Sequence, residues 1–201
     1  MSLGGGISSA LDAAVKAATR AGLVFAVAAG NSGRDACLLS PARVPEAITV
    51  AASDRNDNIA SFSERGKCVD LIAPGVDILS TWNNGKTNII SGTSMATPHV
   101  AGVVALALAE GSFKTAKEVQ IYLQEISSKN KILGTLRGAP NDFLYNHVNG
   151  GNIPDNEPKE PEAPNEPEDP EDPTECPIPQ CLFDPNCTRC KIPDFSFWLH
   201  L

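Results

Sequence analysis

The first 149 residues alternate between short apolar runs and longer segments in which apolar residues recur every three or four positions. The runs at 23–29, 47–53 and 69–73 have the length of buried strands, and continuous apolar runs are typical of a parallel sheet covered on both faces. Helical spacing extends from Ser9 to about Gly22 and returns at 114–127. We therefore predict an α/β fold with a parallel sheet.

A third helix is predicted by the small-residue stretch at 91–102 and the apolar run at 103–109 that follows it. Because this run is almost wholly apolar, we expect the helix to be buried on all sides, with Gly102 allowing close approach of another backbone. Ser94 would lie in its first turn, where backbone N–H groups and the helix dipole stabilise an oxyanion. A capped buried helix with an incidental serine is the alternative.

The letters S-G-T-S-M-A-T-P-H-V-A-G at 91–102 closely resemble the nucleophile motif of subtilisin-like serine peptidases, particularly the proteinase K branch. The resemblance extends over about residues 1–145 and includes A-A-G-N at 28–31 and S-F-S at 61–63. It implies a three-layer α/β fold with a parallel sheet, of which this chain would hold the C-terminal part. It also implies a serine endopeptidase that hydrolyses peptide bonds through an acyl-enzyme on Ser94.

The resemblance further implies which residues surround Ser94. Asn31 would donate its side-chain amide to the oxyanion, opposite the backbone N–H of Ser94. The peptide would bind along two segments that comprise Ser2, Leu3, Gly4, Gly5, Ala28, Ala29 and Gly30. Bare glycine backbone leaves room for an added strand and for large apolar side chains in the S1 pocket. Without the resemblance, Asn31 and the glycine-rich stretch are both typical of ordinary turns.

A subtilisin-like peptidase also needs a histidine base and an aspartate that orients it. His99, His147 and His200 match no catalytic position, and the family order puts both partners before Ser2, upstream of Met1. We therefore expect this chain to be a fragment of a longer secreted protein, whose signal and propeptide lie upstream. The fragment alone is expected neither to fold stably nor to cleave peptides. The alternative is a non-catalytic protein of the same ancestry with a binding or scaffold role.

Two structural features follow from the same resemblance. Cys37 and Cys68 match a disulfide found in proteinase K-like relatives, although two free buried thiols are the alternative. Pro45 and Ala47 through their carbonyls, and Asp70 through its carboxylate, match a calcium site of that branch, since Ca²⁺ prefers oxygen ligands. A single solvated aspartate near a strand is the alternative for Asp70.

The formal net charge of −8 is concentrated at residues 151–175, where ten acidic residues accompany a single lysine. The remaining residues are nearly balanced, so the sequence gives no electrostatic footprint for nucleic acid. No apolar run is long enough to span a bilayer. We expect a monomer that acts on protein or peptide substrates and does not bind membranes.

The chain is predicted to divide into three parts: a peptidase part at 1–149, a linker at 150–175 and a cysteine-rich module at 176–201. Prolines at every third position of the linker favour an extended polyproline II spacer without a folded core. Two disulfides are predicted among Cys176, Cys181, Cys187 and Cys190, and the sequence does not decide which cysteines pair. A zinc site formed by these cysteines is the alternative. Asn186 begins a glycosylation sequon, which fits a secreted protein. The partner of this module is unknown.

Overall fold

A computed structural model of the chain describes residues 1–111 and 113–146. Contacts divide the chain into the units Met1–Asn149 and Gly150–Leu201. The predictions for the linker, the four tail cysteines and Asn186 lie outside the described residues.

Three helices have the expected sequence positions. Helix α1 spans Ser9–Arg20, and its N-cap residue Ser8 accepts a hydrogen bond from Leu11 N–H at 3.3 Å. Helices α2 and α3 span Thr93–Glu110 and Ala116–Ile126. The side chain of Thr115 caps α3 by accepting from the N–H of Glu118, whose carboxylate accepts from the N–H of Lys114. This reciprocal arrangement resembles a capping box, except that the glutamate accepts from the residue before the N-cap, and it explains why α3 begins there.

The main sheet has the order β1-β2-β3-β7-β6, with β1 at Ala26–Ala28, β2 at Ile48–Ser53, β3 at Leu71–Pro74, β6 at Ser128–Lys129 and β7 at Asp142–Phe143. Strands β1, β2, β3 and β7 are parallel, and β6 is antiparallel to β7. All residues of β1 and β2 are buried, as their continuous apolar pattern predicts. A separate antiparallel hairpin consists of β4 at Ile78–Thr81 and β5 at Thr87–Ile90.

Helix α2 packs against β1, β2 and β3 and forms the largest apolar cluster with them. Its contributions include Val100, Val103, Val104 and Ala107, which meet Ile48, Val50 and Leu71 of the strands. The N-terminal end of α2 therefore lies at the carboxyl ends of the parallel strands, where loops after β1 and β3 also emerge. This edge is the usual place for ligand sites in open α/β sheets.

The prediction that α2 is buried on all sides is wrong for the part of the chain that the structure describes. Leu106 and Leu108 are 47% and 46% exposed, and Ala101 and Ala105 are also exposed. A Cβ placed on Gly102 would meet no atom within 4 Å, so no other backbone approaches it there. The reason is that the sheet and α3 cover one face of the helix, and no other described element covers the opposite face.

A disulfide joins Cys37, in the 3₁₀ turn Ala36–Leu38, to Cys68, just before β3. The two Cα atoms are 5.3 Å apart, and the linked residues are 31 positions apart in sequence. The bridge therefore ties the loop after β1 to the loop that enters β3. Within the described residues, no helix has both the length and the apolar character to cross a membrane.

Candidate active site

Ser94 lies in the first turn of α2, two positions after the N-cap residue Gly92. Gly92 donates its N–H to Gly75 O at 2.7 Å, which anchors the start of the helix to the loop after β3. The first N–H groups of a helix have no partner within the helix, so the Ser94 N–H is directed out of the helix start. Ser94 itself is partly exposed. The nucleophile candidate is therefore accessible at the positive end of a helix dipole.

Asn31 follows β1 and is oriented by Thr93. Its Oδ1 accepts hydrogen bonds from Thr93 N–H at 2.8 Å and from the Thr93 hydroxyl at 2.9 Å. Since a backbone N–H can only donate, the carbonyl end of the amide must face Thr93. The Nδ2 end is left to donate elsewhere. The Thr93 hydroxyl also accepts from Gly30 N–H at 3.1 Å, so this buried side chain joins the two loops.

Two hydrogen-bond donors converge beside Gly92. A Cβ placed on this glycine would lie 3.6 Å from Asn31 Nδ2 and 3.6 Å from Ser94 N. The absence of a side chain at Gly92 keeps this space open. The arrangement can therefore hold a small negatively charged oxygen between one side-chain amide and one backbone N–H, next to the Ser94 hydroxyl.

The Ser94 hydroxyl has a backbone partner in the described structure. Ser94 Oγ donates to Ser2 O at 3.3 Å, and Ser2 Oγ donates back to Ser94 O at 2.8 Å. Ser2 is brought there because the neighbouring Met1 carbonyl accepts from Ala28 N–H along the edge of β1. The predicted substrate-binding residue Ser2 therefore contacts Ser94 directly.

His99 does not act as a base for Ser94 in this structure. Its Nδ1 lies 2.8 Å from Met95 O, one turn earlier in the same helix, and its side chain is exposed. Among residues 1–111 and 113–146, Ser94 Oγ has no hydrogen bond to a histidine. His147 and His200 lie outside the described residues. Within the described part of the chain, the geometry thus brings a candidate nucleophile and a candidate oxyanion site together, and no histidine is hydrogen-bonded to Ser94.

A cavity of about 260 Å³ opens beside Ser94. Of the predicted peptide-binding residues, it is lined by Leu3, Gly4, Gly5, Ala28 and Gly30, together with Asn31. Ala29 does not line it, because this side chain is fully buried in the core. Sequence reasoning missed four further lining residues, which are Gly6, Ser32, Leu39 and Thr93.

The cavity wall at Gly30 depends on the absence of a side chain. Gly30 has φ +115°, and a Cβ there would lie 2.5 Å from Leu39 Cδ1 and 2.6 Å from Glu64 Cγ. Leu39 and the buried Glu64 therefore occupy the space behind this glycine. Only glycine combines this backbone conformation with such close packing.

The residues predicted to hold calcium do not form a fitting site. Asp70 and Pro45 line a cavity of about 270 Å³, but Ala47 does not, and Arg43, Lys67 and Lys117 line it as well. Both Asp70 oxygens accept hydrogen bonds from other groups, and no group of three His, Cys, Asp or Glu side chains occurs among the described residues. Burial raises the pKa of Asp70 to about 6. The hydrogen bonds from Thr49 and Gln120 and the positive charge of Lys117 lower this pKa, but they do not cancel the effect of burial. Ca²⁺ usually has six to eight oxygen ligands, so we derive no role for it here.

A profile described as "Subtilase family" matches residues 1–143. The chain is 50% identical over 145 residues to alkaline serine exoprotease A of Vibrio alginolyticus, covering 72% of this chain and 27% of that protein. It is 51% identical over 147 residues to the extracellular serine proteinase of Thermus sp. strain Rt41A, covering 72% of this chain and 36% of that protein.

Among solved structures, a cold-adapted subtilisin-like serine proteinase matches with a TM-score of 0.72 and 50% sequence identity. The match covers 74% of this chain and 54% of that chain. The described fold is therefore similar to about half of a subtilisin-like domain, and the chain spans 27% and 36% of the two curated relatives.

Proposed function

The chain belongs to the subtilase family, and from that premise we propose that it carries the nucleophile and the oxyanion site of a serine endopeptidase. The observation that supports this most directly is the convergence of Asn31 Nδ2 and Ser94 N beside Gly92. Two preorganised donors next to a serine hydroxyl are what acyl transfer requires, because negative charge develops on the carbonyl oxygen in the transition state.

In the proposed reaction, Ser94 Oγ attacks the carbonyl carbon of a peptide bond and loses its proton to a histidine base. The carbonyl oxygen becomes an oxyanion that accepts hydrogen bonds from Asn31 Nδ2–H and Ser94 N–H. Collapse of this intermediate expels the amine, which takes the proton from the histidine, and leaves an ester on Ser94. Water then hydrolyses the ester and restores the serine.

The histidine and its aspartate would come from a part of the protein outside the described residues. The chain covers 27% and 36% of the two relatives, which leaves most of their length unmatched. The exposed apolar face of α2 also fits a further part of the domain packing there, because Leu106 and Leu108 would otherwise remain in water. We therefore propose that the complete catalytic site forms only in a longer protein.

The proposed substrates are proteins or peptides bound along the glycine-rich segment. Gly5 pairs with Ser40 through two backbone hydrogen bonds, which holds this segment extended at the rim of the cavity. Gly4 and Gly5 contribute no side chains, and the cavity next to them accepts large apolar residues. Secretion is proposed because the Thermus relative is named an extracellular proteinase.

A second candidate is a non-catalytic subtilase-derived protein that binds a partner or serves as a scaffold. One observation favours it, namely that the Ser94 hydroxyl donates to Ser2 O and to no histidine among the described residues. In that case the two donors beside Gly92, Asn31 Nδ2 and Ser94 N–H, would be inherited from a peptidase ancestor, and the protein would not hydrolyse peptides.

The test is hydrolysis of denatured casein and of a peptide anilide by the full native protein and by two variants. We expect Ser94→Ala to abolish turnover. Asn31→Ala should lower kcat by about 10²–10³-fold with little change in KM, a magnitude known for the equivalent donor in subtilisin, a member of the same family. Turnover that persists in Ser94→Ala, or a folded native protein that hydrolyses neither substrate, would exclude the peptidase function.

A further inference from the structure

Three polar side chains on one side of the fold, Asp70, Gln120 and Lys117, form a continuous hydrogen-bonded chain at the cavity where calcium was predicted. We propose that this chain of side chains, called the Asp70 relay below, replaces a bound cation and holds α3 to the sheet without calcium. The proposal concerns stability and is independent of the peptidase function.

Both oxygens of the Asp70 carboxylate are already engaged by donors from the chain itself. Oδ2 accepts from Thr49 N–H in β2 at 2.8 Å, and Oδ1 accepts from Gln120 Nε2 in α3 at 2.5 Å. A calcium ion would have to share or displace these donors to reach the carboxylate. Asp70 immediately precedes β3, so these two contacts connect β2, β3 and α3 at one point.

Lys117 determines the orientation of the Gln120 amide. Its Nζ donates to Gln120 Oε1 at 3.0 Å, and because an ammonium group only donates, Oε1 must face Lys117. The amide Nε2 then faces Asp70. Lys117 and Gln120 are three positions apart on one helix face, a spacing that brings side chains together. The positive charge of Lys117 therefore reaches the carboxylate through a polarised amide.

Gln120 is only 2% exposed, which makes these contacts important. A buried primary amide with unpaired atoms costs free energy, whereas here both of its ends are paired. The relay thus satisfies a buried glutamine and a largely buried carboxylate together. A neighbouring glutamine, Gln124, donates only to the backbone carbonyl of Asp70, at 3.4 Å.

The charge around the cavity also disfavours a divalent cation. Arg43, Lys67 and Lys117 line it together with a single carboxylate, that of Asp70. Arg43 is further paired with Asp12, at 3.3 Å between Nε and Oδ2. Even with Asp12 counted, three cationic side chains outnumber two carboxylates, and this excess of positive charge repels Ca²⁺.

The first test compares calcium responses and does not depend on activity. Thermal unfolding of the full native protein and of Asp70→Asn would be measured in EDTA and in excess Ca²⁺. Ions bound elsewhere act on both proteins equally, so we expect equal calcium-induced shifts in Tm, within about 1 °C. A larger shift for the native protein would show that Asp70 binds calcium, and it would overturn the proposal.

The second test asks whether Lys117 acts through Gln120. In EDTA, Lys117→Met and Gln120→Ala should each lower Tm by several degrees, and the double variant should be scarcely less stable than Gln120→Ala. Gln124→Ala is the matched control, because it leaves the carboxylate contacts in place, and it should lower Tm less than Gln120→Ala. Additive effects of Lys117→Met and Gln120→Ala, or equal losses for Gln120→Ala and Gln124→Ala, would contradict the relay.

Discussion

At the scale of single residues, the candidate site depends on Thr93 as much as on Ser94. Thr93 gives Asn31 Oδ1 two hydrogen bonds and accepts one from Gly30 N–H, so a single buried hydroxyl orients the oxyanion donor and fixes the cavity wall. The sequence motif predicted Ser94 and Asn31 because each belongs to a recognisable string. It did not predict the role of Thr93, since hydrogen bonds between residues 62 positions apart leave no local pattern.

Replacing Thr93 by valine should therefore disturb both stability and reactivity. The variant keeps the shape but leaves the Gly30 N–H without its acceptor and Asn31 Oδ1 with one donor. We expect a loss of about 1–3 kcal/mol in the free energy of unfolding, because a buried donor is left unpaired. Urea denaturation measures this loss, and the rate of Ser94 labelling by a fluorophosphonate should fall as well.

Thr97→Val is the matched control for this prediction. The Thr97 hydroxyl donates to the Thr93 carbonyl one turn earlier in α2 and does not touch Asn31. Its loss leaves no buried donor unpaired, so the expected cost is below about 1 kcal/mol. Equal stability and equal labelling rates for the two variants would contradict the role given to Thr93.

At the scale of elements, the apolar pattern located the helices and the parallel strands. The run at 23–29 gave only a three-residue strand, Ala26–Ala28, although Phe25 O and Ala29 N–H at its two ends are also hydrogen-bonded to β2. The hairpin of β4 and β5 and the short strands β6 and β7 were not predicted. Their pairing depends on contacts that a one-dimensional pattern does not contain, such as Ile72 of β3 beside Phe143 of β7.

The disulfide between Cys37 and Cys68 stabilises the fold by joining the loop after β1 to the loop that enters β3. It closes a loop between residues 31 positions apart. Such a loop is expected to contribute about 3–4 kcal/mol, mainly by restricting the unfolded chain. We expect Cys37→Ala/Cys68→Ala to lower the free energy of unfolding by this amount, as measured by urea denaturation.

Reductant provides the control for the disulfide prediction. It should destabilise the native protein about as much as the double replacement does, and it should not destabilise the double variant further. A change below about 1 kcal/mol in the double variant would mean that the bridge contributes little to the fold.

At the scale of the whole molecule, the described residues contain a candidate site in which no histidine is hydrogen-bonded to Ser94. The proposed nucleophile, the two proposed oxyanion donors and a cavity of about 260 Å³ lie together at the N-terminal end of α2. The opposite face of the same helix exposes Leu106 and Leu108. The apolar composition of α2 predicted complete burial, because the composition of a helix reflects all the surfaces that pack against it in the whole native protein. Both features are consistent with a site completed by a further part of the domain.

Covalent labelling of the native protein by a fluorophosphonate shows directly whether Ser94 is an activated nucleophile, because the reagent reacts with an activated serine and leaves a mass increase on the labelled peptide. We expect a single adduct on the peptide that contains Ser94. The adduct should be absent in Ser94→Ala and after denaturation of the native protein. A folded native protein whose Ser94 remains unlabelled at high reagent concentration would exclude the proposed nucleophile and favour the non-catalytic alternative.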